Sequence, residues 1–446
     1  VYQGWQKPGR FETNMVVIGG GAAGLVSAYI AAALKAKVTL VEKHRMGGDC
    51  LNTGCVPSKA LIRTAKFMSH INRAREFGIK QANAELDFAE VMQRVQATIK
   101  QIEPHDSVER YSALGVDCVQ GNATITSPWS VEVDSKPITT RSIIIAAGAE
   151  PFVPDIDGLE SIKYYTSDTI WSMVELPQRL LVIGGGPIGC ELAQSFQRLG
   201  SQVTLLHRGQ RIMPREDQDV SELVSQRFIN EGIDVRTDCT PHLFKTGQLI
   251  CLQDGDEFTL EFDTVLFAVG RKARTSGYGL ENLGITLNES KTIDTNEFLQ
   301  TRYPNIYACG DVTGPYQFTH TAAHQAWYAA VNALQGLKRL KADYSVIPWC
   351  TFTDPEVARV GINEQEAQQQ GIEYELTTYG IDDLDRAIAD SEAHGLVKVL
   401  TVPGKDRILG VTIVGEHAGD LISEFVLAMR HGLGLNKILG LSVIHI

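Results

Sequence analysis

Residues 15–42 read MVVIGGGAAGLVSAYIAAALKAKVTLVE, and residues 180–207 read LLVIGGGPIGCELAQSFQRLGSQVTLLH. Aligned without gaps at an offset of 165, the two stretches are identical at 11 of 28 positions. Each contains an apolar run of strand length, a Gly-x-Gly-x-x-Gly motif, a segment of helical length and a second strand that begins Val-Thr-Leu. This is the pattern of a βαβ unit that binds dinucleotides. Two copies in matching context predict two such units; two sheet domains without nucleotides are the alternative.

The motif glycines of each copy have distinct expected roles. The first permits a tight turn, the second lets a pyrophosphate approach the backbone, and the third lets helix and strand pack closely. The helix that follows directs its amide N–H groups and the positive end of its dipole at the pyrophosphate. We therefore assign cofactor binding to Gly19, Gly21 and Gly24 in the first copy, and to Gly184, Gly186 and Gly189 in the second.

The two copies differ at the residue expected to contact the ribose. Glu42 ends the first copy, 23 residues after Gly19, where an acidic side chain accepts the ribose hydroxyls. The matching residue of the second copy is His207, followed by Arg208. Because a carboxylate would repel a 2′-phosphate, its absence favours NADPH over NADH, with His207 and Arg208 as nucleotide-binding residues. The alternative is that Arg208 and the nearby Arg211 only cover a solvated loop.

The composition is that of a globular protein with several domains. The chain has 446 residues, 43 % hydrophobic and 21 % charged, and at about 150 residues per domain we expect two to four domains. Lys+Arg of 41 against Asp+Glu of 53 gives a net charge of −12, which disfavours nucleic acid as a main partner. Eight cysteines are too few for a disulfide-stapled secreted domain. We expect a cytoplasmic protein.

One uncharged stretch, Thr13 to Leu34, has the length of a signal or membrane segment. The glycines of the first copy lie within it and favour a strand, a turn and a helix instead. The chain begins at Val1 and ends at Ile446 in an apolar stretch, so we expect it to be part of a longer product. A membrane domain before Val1 would tether the protein to a membrane.

Apolar strands that end in glycine indicate where the chain leaves one domain for the next. Residues 142–148 end at Gly148 and residues 264–270 end at Gly270, and we assign both glycines to cofactor binding. From residue 344 onward, strand patterns at 348–353, 395–400 and 408–414 and a helical stretch at 418–431 predict an antiparallel sheet with a helix. The predicted fold is α/β, with two Rossmann-like dinucleotide-binding domains at 13–150 with 270–343 and at 151–269, and a C-terminal α+β interface domain at 344–446, truncated at its C-terminus.

The segment GGDCLNTGCVPSK, residues 47–59, contains a close cysteine pair. Residues five apart in a regular helix have Cα atoms about 8–9 Å apart, whereas a disulfide needs about 7 Å or less. If Cys50 and Cys55 bond, the turn between them is therefore not regular helix, and Pro57 suits the first turn of the next helix. Strain and helix-end amides are what a catalytic disulfide requires. Zinc binding and two inert thiols are the alternatives, and we assign no metal ligand.

The chain resembles the pyridine nucleotide–disulfide oxidoreductases, which include dihydrolipoamide dehydrogenase, glutathione reductase and mercuric reductase. The resemblance rests on the cysteine block and on Tyr-Ala-Cys-Gly-Asp at 307–311, and it covers essentially the whole chain in the family's order. It implies that the first domain binds FAD, with Asp311 accepting hydrogen bonds from the ribityl chain. It also implies a C-terminal dimerisation domain and a homodimer.

The same resemblance implies the catalytic roles. Hydride passes from NADPH to FAD, and the electron pair then reduces the Cys50–Cys55 disulfide. Cys55 becomes the thiolate beside the flavin, and Cys50 becomes the thiol that attacks the substrate. Lys59 stabilises negative charge on the flavin, and Glu191 pairs with Lys59.

Two positions depart from the family pattern. Ala147 stands where relatives have Thr at a strand end. The chain also stops one residue before the His of the family's His-Pro-Thr-x-x-Glu block, which supplies the acid–base catalyst from the partner subunit, so His445 is only a neighbouring candidate.

The expected function is reduction of a disulfide or thiol-bound substrate by NADPH through FAD. Residues 351–358 look closest to the mercuric reductase branch, which keeps a metal-ion reductase as an alternative. A dihydrolipoamide dehydrogenase that uses NAD is a second alternative, disfavoured by His207. A non-catalytic binding or scaffold role is the third.

Overall fold

The computed structural model describes residues 1–335 and 338–442. The chain forms two compact units. The first unit consists of Val1–Pro57, Val95–Pro151 and Arg271–Asp343, and the second of Ser58–Arg94, Phe152–Gly270 and the described residues from Tyr344 onward.

The helices and strands follow one another in chain order. Up to residue 151 they are β1 (Thr13–Ile18), α1 (Ala22–Ala33), β2 (Val38–Glu42), α2 (Gly48–Asn52), α3 (Cys55–Asn72), α4 (Phe88–Ile102), α5 (Val108–Ala113), β3 (Val116–Gln120), β4 (Ala123–Ser127), β5 (Ser130–Val133), β6 (Lys136–Ile145) and β7 (Ala149–Pro151). The next stretch contains β8 (Tyr164–Thr166), β9 (Arg179–Ile183), α6 (Pro187–Leu199), β10 (Gln202–Leu206), α7 (Gln218–Asn230), β11 (Asp234–Arg236), β12 (Thr240–Lys245), β13 (Gln248–Gln253), β14 (Asp256–Glu261) and β15 (Thr264–Phe267).

The last third begins with a return to the first unit. Its elements are β16 (Arg271–Ala273), β17 (Ile306–Ala308), α8 (Thr319–Leu334), β18 (Pro348–Thr351), β19 (Glu356–Gly361), α9 (Glu364–Gln370), β20 (Glu375–Gly380), α10 (Asp385–Ala389), β21 (Leu396–Thr401), β22 (Ile408–Gly415), α11 (Ala418–Arg430) and α12 (Leu435–Ile438).

A mixed sheet forms the centre of the first unit, in the order β3-β2-β1-β6-β5-β4, with β17 paired to β6. The strands β3, β2, β1, β6 and β17 are parallel, and β4 and β5 add an antiparallel edge. Helices α1 and α8 pack on one face. Their contact is lined by small residues, which let two helices approach closely: Ala28, Ala31, Ala326, Ala329 and Ala330 are fully buried there.

The second unit contains a second parallel sheet, in the order β11-β10-β9-β15-β8. The unit also contains an antiparallel meander, β12-β13-β14. Apolar side chains of β13 pack in one core with those of β9 and β15 from the parallel sheet. The same unit holds an antiparallel sheet, β18-β19-β22-β21-β20, on which α11 packs. The predicted α/β class with two Rossmann-like units and a C-terminal α+β part is confirmed.

One grouping of residues differs from the predicted domain bounds, and one segment agrees with the predicted strand, turn and helix. Residues 58–94 group with the second unit, although they were expected in the first domain. The uncharged stretch from Thr13 divides into β1 and α1, and within residues 1–335 and 338–442 we find no helix both long and apolar enough to cross a membrane. Which ligand each range binds stays a prediction.

Candidate functional site

The first glycine motif lies between β1 and α1. Gly19 has φ +108°, a conformation that favours glycine. A Cβ on Gly24 would overlap the carbonyl oxygen of Gly19, and one on Gly189 would overlap that of Gly184 in the same way. The backbone of each copy therefore requires its first and third glycine, whatever ligand binds.

The middle glycines are not required by the fold. Gly21 and Gly186 have φ −81° with extended ψ, which any residue can adopt. A Cβ on Gly21 would meet only the Cα of Gly48, at 3.6 Å, and a Cβ on Gly186 would meet nothing within 4 Å. Each stands at the start of a helix, so the open space lies where amide N–H groups attract a phosphate. These residues fit a pyrophosphate that approaches the backbone.

A cleft of about 70 Å³ begins at the start of this first helix. It runs from the glycine turn to the cysteine block and to the strand end after β17. It is lined by Gly21, Ala22, Ala23, Asp49, Cys50, Ala146, Gly148, Cys309, Gly310, Asp311, Thr319 and Ala322.

The last residue of each copy accepts a hydrogen bond from the backbone N–H of the second of the three consecutive glycines. Gly20 N–H donates to Oε2 of Glu42 at 2.6 Å, and in the second copy Gly185 N–H donates to Nδ1 of His207 at 3.2 Å. Burial and the neighbouring Arg208 lower the pKa of His207. The two side chains thus serve the same backbone group, one as an anion and the other as a neutral ring.

Asp311 lines the cleft and is partly buried. Burial raises the pKa of its carboxyl to about 6, although Arg271 acts in the opposite direction. Among the described residues we find no hydrogen-bond donor to this carboxylate. A partly buried acceptor that has no donor among the described residues fits a ligand hydroxyl.

Gln325, which the sequence analysis missed, holds the Asp311 loop. It is fully buried on α8; its Oε1 accepts from Gly310 N–H at 2.6 Å, and its Nε2 donates to Gly314 O at 2.5 Å. No local pattern indicates this role, because the bonded residues are 15 and 11 positions away along the chain.

The cysteine pair spans a break between two helices, as the spacing argument requires. α2 ends at Asn52 and α3 begins at Cys55. Gly54 is needed here for close approach, since its Cβ would lie 2.9 Å from Asp49 O. Both cysteines are thiols; the hydrogen bond to Cys55, followed by burial, raises the pKa of Cys50. The two sulfurs are therefore in contact.

In the second unit, Lys59 and Glu191 form the ion pair that the resemblance implies. Lys59 Nζ lies 2.9 Å from Glu191 Oε2, and the carboxylate side chain is 8 % exposed. Oε1 of the same carboxylate accepts the N–H of Phe352 at 2.8 Å, and the ammonium lies 4.5 Å from the centroid of the Phe352 ring. Glu191 is thus held at both oxygens.

The two arginines near His207 have different surroundings. Arg208 is exposed, and among the described residues it has no hydrogen-bond or ion-pair partner. Arg211 donates to Gln365 Oε1 and, at 3.5 Å, to Glu216 O. Arg208 is therefore accessible to a ligand, whereas Arg211 is hydrogen-bonded within the protein.

The remaining assigned residues lie at domain exits or outside the described chain. Gly148 and Gly270 both have positive φ, +70° and +123°. Arg274 N–H donates to Gly148 O at 2.9 Å. His445 lies outside the described residues.

A metal at the cysteine pair has no support in the described residues, where neither cysteine joins a cluster of candidate ligands. Elsewhere in the described residues, Asp354, Glu392 and His394 form a cluster of candidate metal ligands. Arg198 lies 2.8 Å from the first carboxylate and Arg73 lies 2.7 Å from the second, so guanidinium groups already neutralise it.

Comparison with known proteins agrees with this geometry. Residues 13–326 match the pyridine nucleotide-disulphide oxidoreductase family, and residues 347–445 match its dimerisation domain, which supports a homodimer. Mercuric reductase of Staphylococcus aureus is 33 % identical over 431 residues, 96 % of this chain and 79 % of that protein. Dihydrolipoyl dehydrogenase of Chlamydia pneumoniae is 35 % identical over 429 residues, 95 % of this chain and 92 % of its own length.

A solved structure shares the whole fold. The HOCl-induced flavoprotein disulfide reductase RclA from Escherichia coli has a TM-score of 0.86 and 26 % identity, covering 97 % of this chain and 96 % of that one. The glycine cradles, the cysteine pair and these matches together show that the chain belongs to the pyridine nucleotide–disulfide oxidoreductase family and is a FAD-dependent oxidoreductase.

Proposed function

We propose that the protein uses NADPH to reduce a disulfide substrate through the Cys50–Cys55 pair. The observation that carries this proposal is the contact between the two thiols at a cleft that begins at a nucleotide-type glycine cradle. Cys50 lines the cleft and Cys55 is exposed. A redox pair needs both features: contact for disulfide formation and access for a reaction partner.

FAD fits the first unit. Gly21 would accommodate its pyrophosphate, Glu42 would accept the ribose hydroxyls, and Asp311 would accept a ribityl hydroxyl. When bound, FAD takes hydride from the pyridine nucleotide and returns an electron pair to a disulfide.

The cysteines carry out the exchange with the substrate. Cys50 attacks one sulfur of the substrate disulfide and forms a mixed disulfide, and the proton of its thiol passes to the other substrate sulfur, which leaves as a thiol. The thiolate of Cys55 then attacks the Cys50 sulfur, restores the Cys50–Cys55 bond and releases the second substrate thiolate. Each cycle consumes the two electrons that had reduced the pair.

Lys59 is proposed to stabilise negative charge near the reacting groups. It lies one helical turn after Cys55 in α3, so both residues occupy the same side of that helix. Glu191 fixes the ammonium through the 2.9 Å ion pair, and its own position is fixed by Phe352 N–H.

The preference for NADPH is supported by the contrast between the two copies. Because Nδ1 of His207 accepts from Gly185 N–H, the neutral ring carries its proton on Nε2, which is a donor. A donor together with the exposed Arg208 suits a 2′-phosphate, whereas a carboxylate at this position would repel it.

A reductive titration tests the redox pair. We expect the reduced wild type to show a long-wavelength thiolate–flavin absorption band, which Cys50→Ser retains and Cys55→Ser loses. A Cys55→Ser protein that keeps the band would overturn the assignment of the two roles.

Turnover with NADPH and with NADH tests the nucleotide preference. We expect Arg208→Ala to raise the KM for NADPH about tenfold or more while leaving NADH unaffected, because a charge-assisted contact to phosphate is lost. Arg236→Ala, which removes an exposed arginine paired with Asp234, is the matched control. Equal use of both nucleotides by wild type and Arg208→Ala would refute the preference.

A metal-ion reductase is a second candidate function. Relatives named mercuric reductase favour it, as do related structures described as Cu(II) complexes of the disulfide reductase RclA. Nucleotide oxidation that depends on Hg(II) or Cu(II), and that disulfides such as oxidised glutathione do not elicit, would favour this function over disulfide reduction.

A further inference from the structure

The hydroxyl of Thr319 lies against the sulfur of Cys55. Thr319 is the first residue of α8, and its Oγ1 lies 3.3 Å from Cys55 Sγ. It also lines the cleft that contains Cys50. The two residues are 264 positions apart, so the fold, and not the local sequence, creates this contact.

Thr319 acts on the second cysteine as well. The pKa of Cys50 is raised by its hydrogen bond to Cys55 and by burial, and a hydrogen bond from Thr319 lowers it. A hydroxyl has one hydrogen to donate and two lone pairs. When a sulfur becomes a thiolate it can only accept, so Thr319 must then be the donor.

The carboxylates around the sulfurs in the first unit oppose a thiolate. Negative charge on Asp106 contributes to the raised pKa of Cys50. Negative charge on Cys55 contributes to the raised pKa of Asp311. Repulsion of this kind makes each anion more costly, so the thiolate needs a compensating donor.

Two arginines of the first unit and Lys59 already have carboxylate partners. Arg271 donates to a carboxylate oxygen of Asp49, and Arg274 lies 4.0 Å from the same carboxylate. Lys59, one turn along α3, is paired with Glu191. The Thr319 hydroxyl, at 3.3 Å from Cys55 Sγ, is in position to donate to that sulfur.

We propose that Thr319 is a further catalytic residue, which donates its hydroxyl hydrogen to the Cys55 thiolate and so stabilises the reduced state of the pair. Reduction of the disulfide breaks the S–S bond, uses two electrons and one proton, and leaves a thiol on Cys50 and a thiolate on Cys55. This proposal rests on the proposed function, because it takes Cys55 to be the sulfur that keeps the negative charge.

The test is a pH titration of the thiolate–flavin band in the reduced holoenzyme. We expect Thr319→Val to raise the apparent pKa of the band by about one unit, which is a tenfold shift of the thiolate equilibrium. Thr319→Ser retains the hydroxyl and should restore the wild-type value. The rate of alkylation by iodoacetamide, measured below that pKa, should fall about tenfold in Thr319→Val and recover in Thr319→Ser.

Thr321→Val is the matched control. Its hydroxyl lies on the same helix, is buried, and has no hydrogen-bond partner among the described residues, so the titration should not change. A Thr319→Val protein with the wild-type titration and alkylation rate would overturn this proposal and leave the proposed function intact. Absence of the band from the wild type would overturn the proposed function. If Thr319→Val lost FAD, the comparison of Thr319→Ser with wild type, together with alkylation of Thr319→Ala, would decide the matter.

Discussion

The Lys59–Glu191 pair allows a prediction of how one buried carboxylate affects the rate of reduction. At 2.9 Å the gross attraction is about 6 kcal/mol for an effective dielectric constant of about 20. Desolvation of a carboxylate that is 8 % exposed offsets most of this attraction. A net contribution of about 1–3 kcal/mol remains, in the range of charge-assisted hydrogen bonds.

Glu191→Gln removes the charge and keeps the shape. The amide oxygen can still accept from Phe352 N–H, so the variant should fold and bind FAD, but it no longer fixes the ammonium of Lys59. We expect the rate at which NADPH produces the thiolate–flavin band to fall about 5- to 150-fold, the equivalent of 1–3 kcal/mol. Stopped-flow absorbance measures this rate directly.

A double-mutant cycle separates a direct effect of Glu191 from one that acts through its partner. If Glu191 acts only by positioning Lys59, then Glu191→Gln should cause no further loss in a Lys59→Met background. Arg386→Met, which breaks an ion pair with 67 % and 41 % exposed partners, is the control and should change nothing. Fully additive losses in the cycle would refute the reasoning.

Three further outcomes test other parts of the structure. The pKa of Asp311 is raised to about 6 and its ionised form is the stronger acceptor, so affinity for FAD should fall by up to about tenfold per pH unit below that value, and Asp311→Asn should remove this dependence in a fluorescence titration. Gly24→Ala should abolish soluble holoprotein, because a Cβ there would overlap the Gly19 carbonyl oxygen. Gly186→Ala should fold with FAD and lose NADPH affinity, because the backbone has room for a Cβ at this position. Lys398 is buried among three carboxylates. Lys398→Met should therefore lower the free energy of unfolding, measured by urea denaturation, by about 3–5 kcal/mol. Lys341→Met, whose carboxylate partner is exposed, is the control and should change it by less than about 1 kcal/mol.

The repeated strand–turn–helix units could be predicted because their determinants are local. The third glycine of each motif meets a partner five residues away: Gly24 meets Gly19, and Gly189 meets Gly184. The alternation of apolar strand, turn and helix is likewise contained in a short window. The C-terminal strands predicted at 348–353, 395–400 and 408–414 correspond to β18, β21 and β22 for the same reason.

Other features depend on contacts between residues that are far apart in the sequence, which no short stretch of sequence contains. The strand pattern gave no sign of β19 or β20, which complete the C-terminal sheet. Gln325 and Thr319 acquire their roles only because α8 lies beside the Gly310 loop and the cysteine block. The ion pair of Lys59 with Glu191 joins residues 132 apart, and the resemblance, not the pattern, suggested it.

The two copies show how the ligand can change while the fold does not. The fold needs an acceptor for the N–H of the second consecutive glycine in each copy. Glu42 Oε2 accepts from Gly20 N–H at 2.6 Å, and His207 Nδ1 accepts from Gly185 N–H at 3.2 Å. The ligand, by contrast, is affected by the charge of that side chain. A neutral imidazole accepts the backbone hydrogen bond without carrying a negative charge. The second copy can therefore keep the β–turn–α geometry and still admit a phosphate. We therefore expect His207→Glu to preserve the fold and to turn the preference from NADPH towards NADH, and unchanged selectivity in a folded His207→Glu protein would refute this account of the repeat.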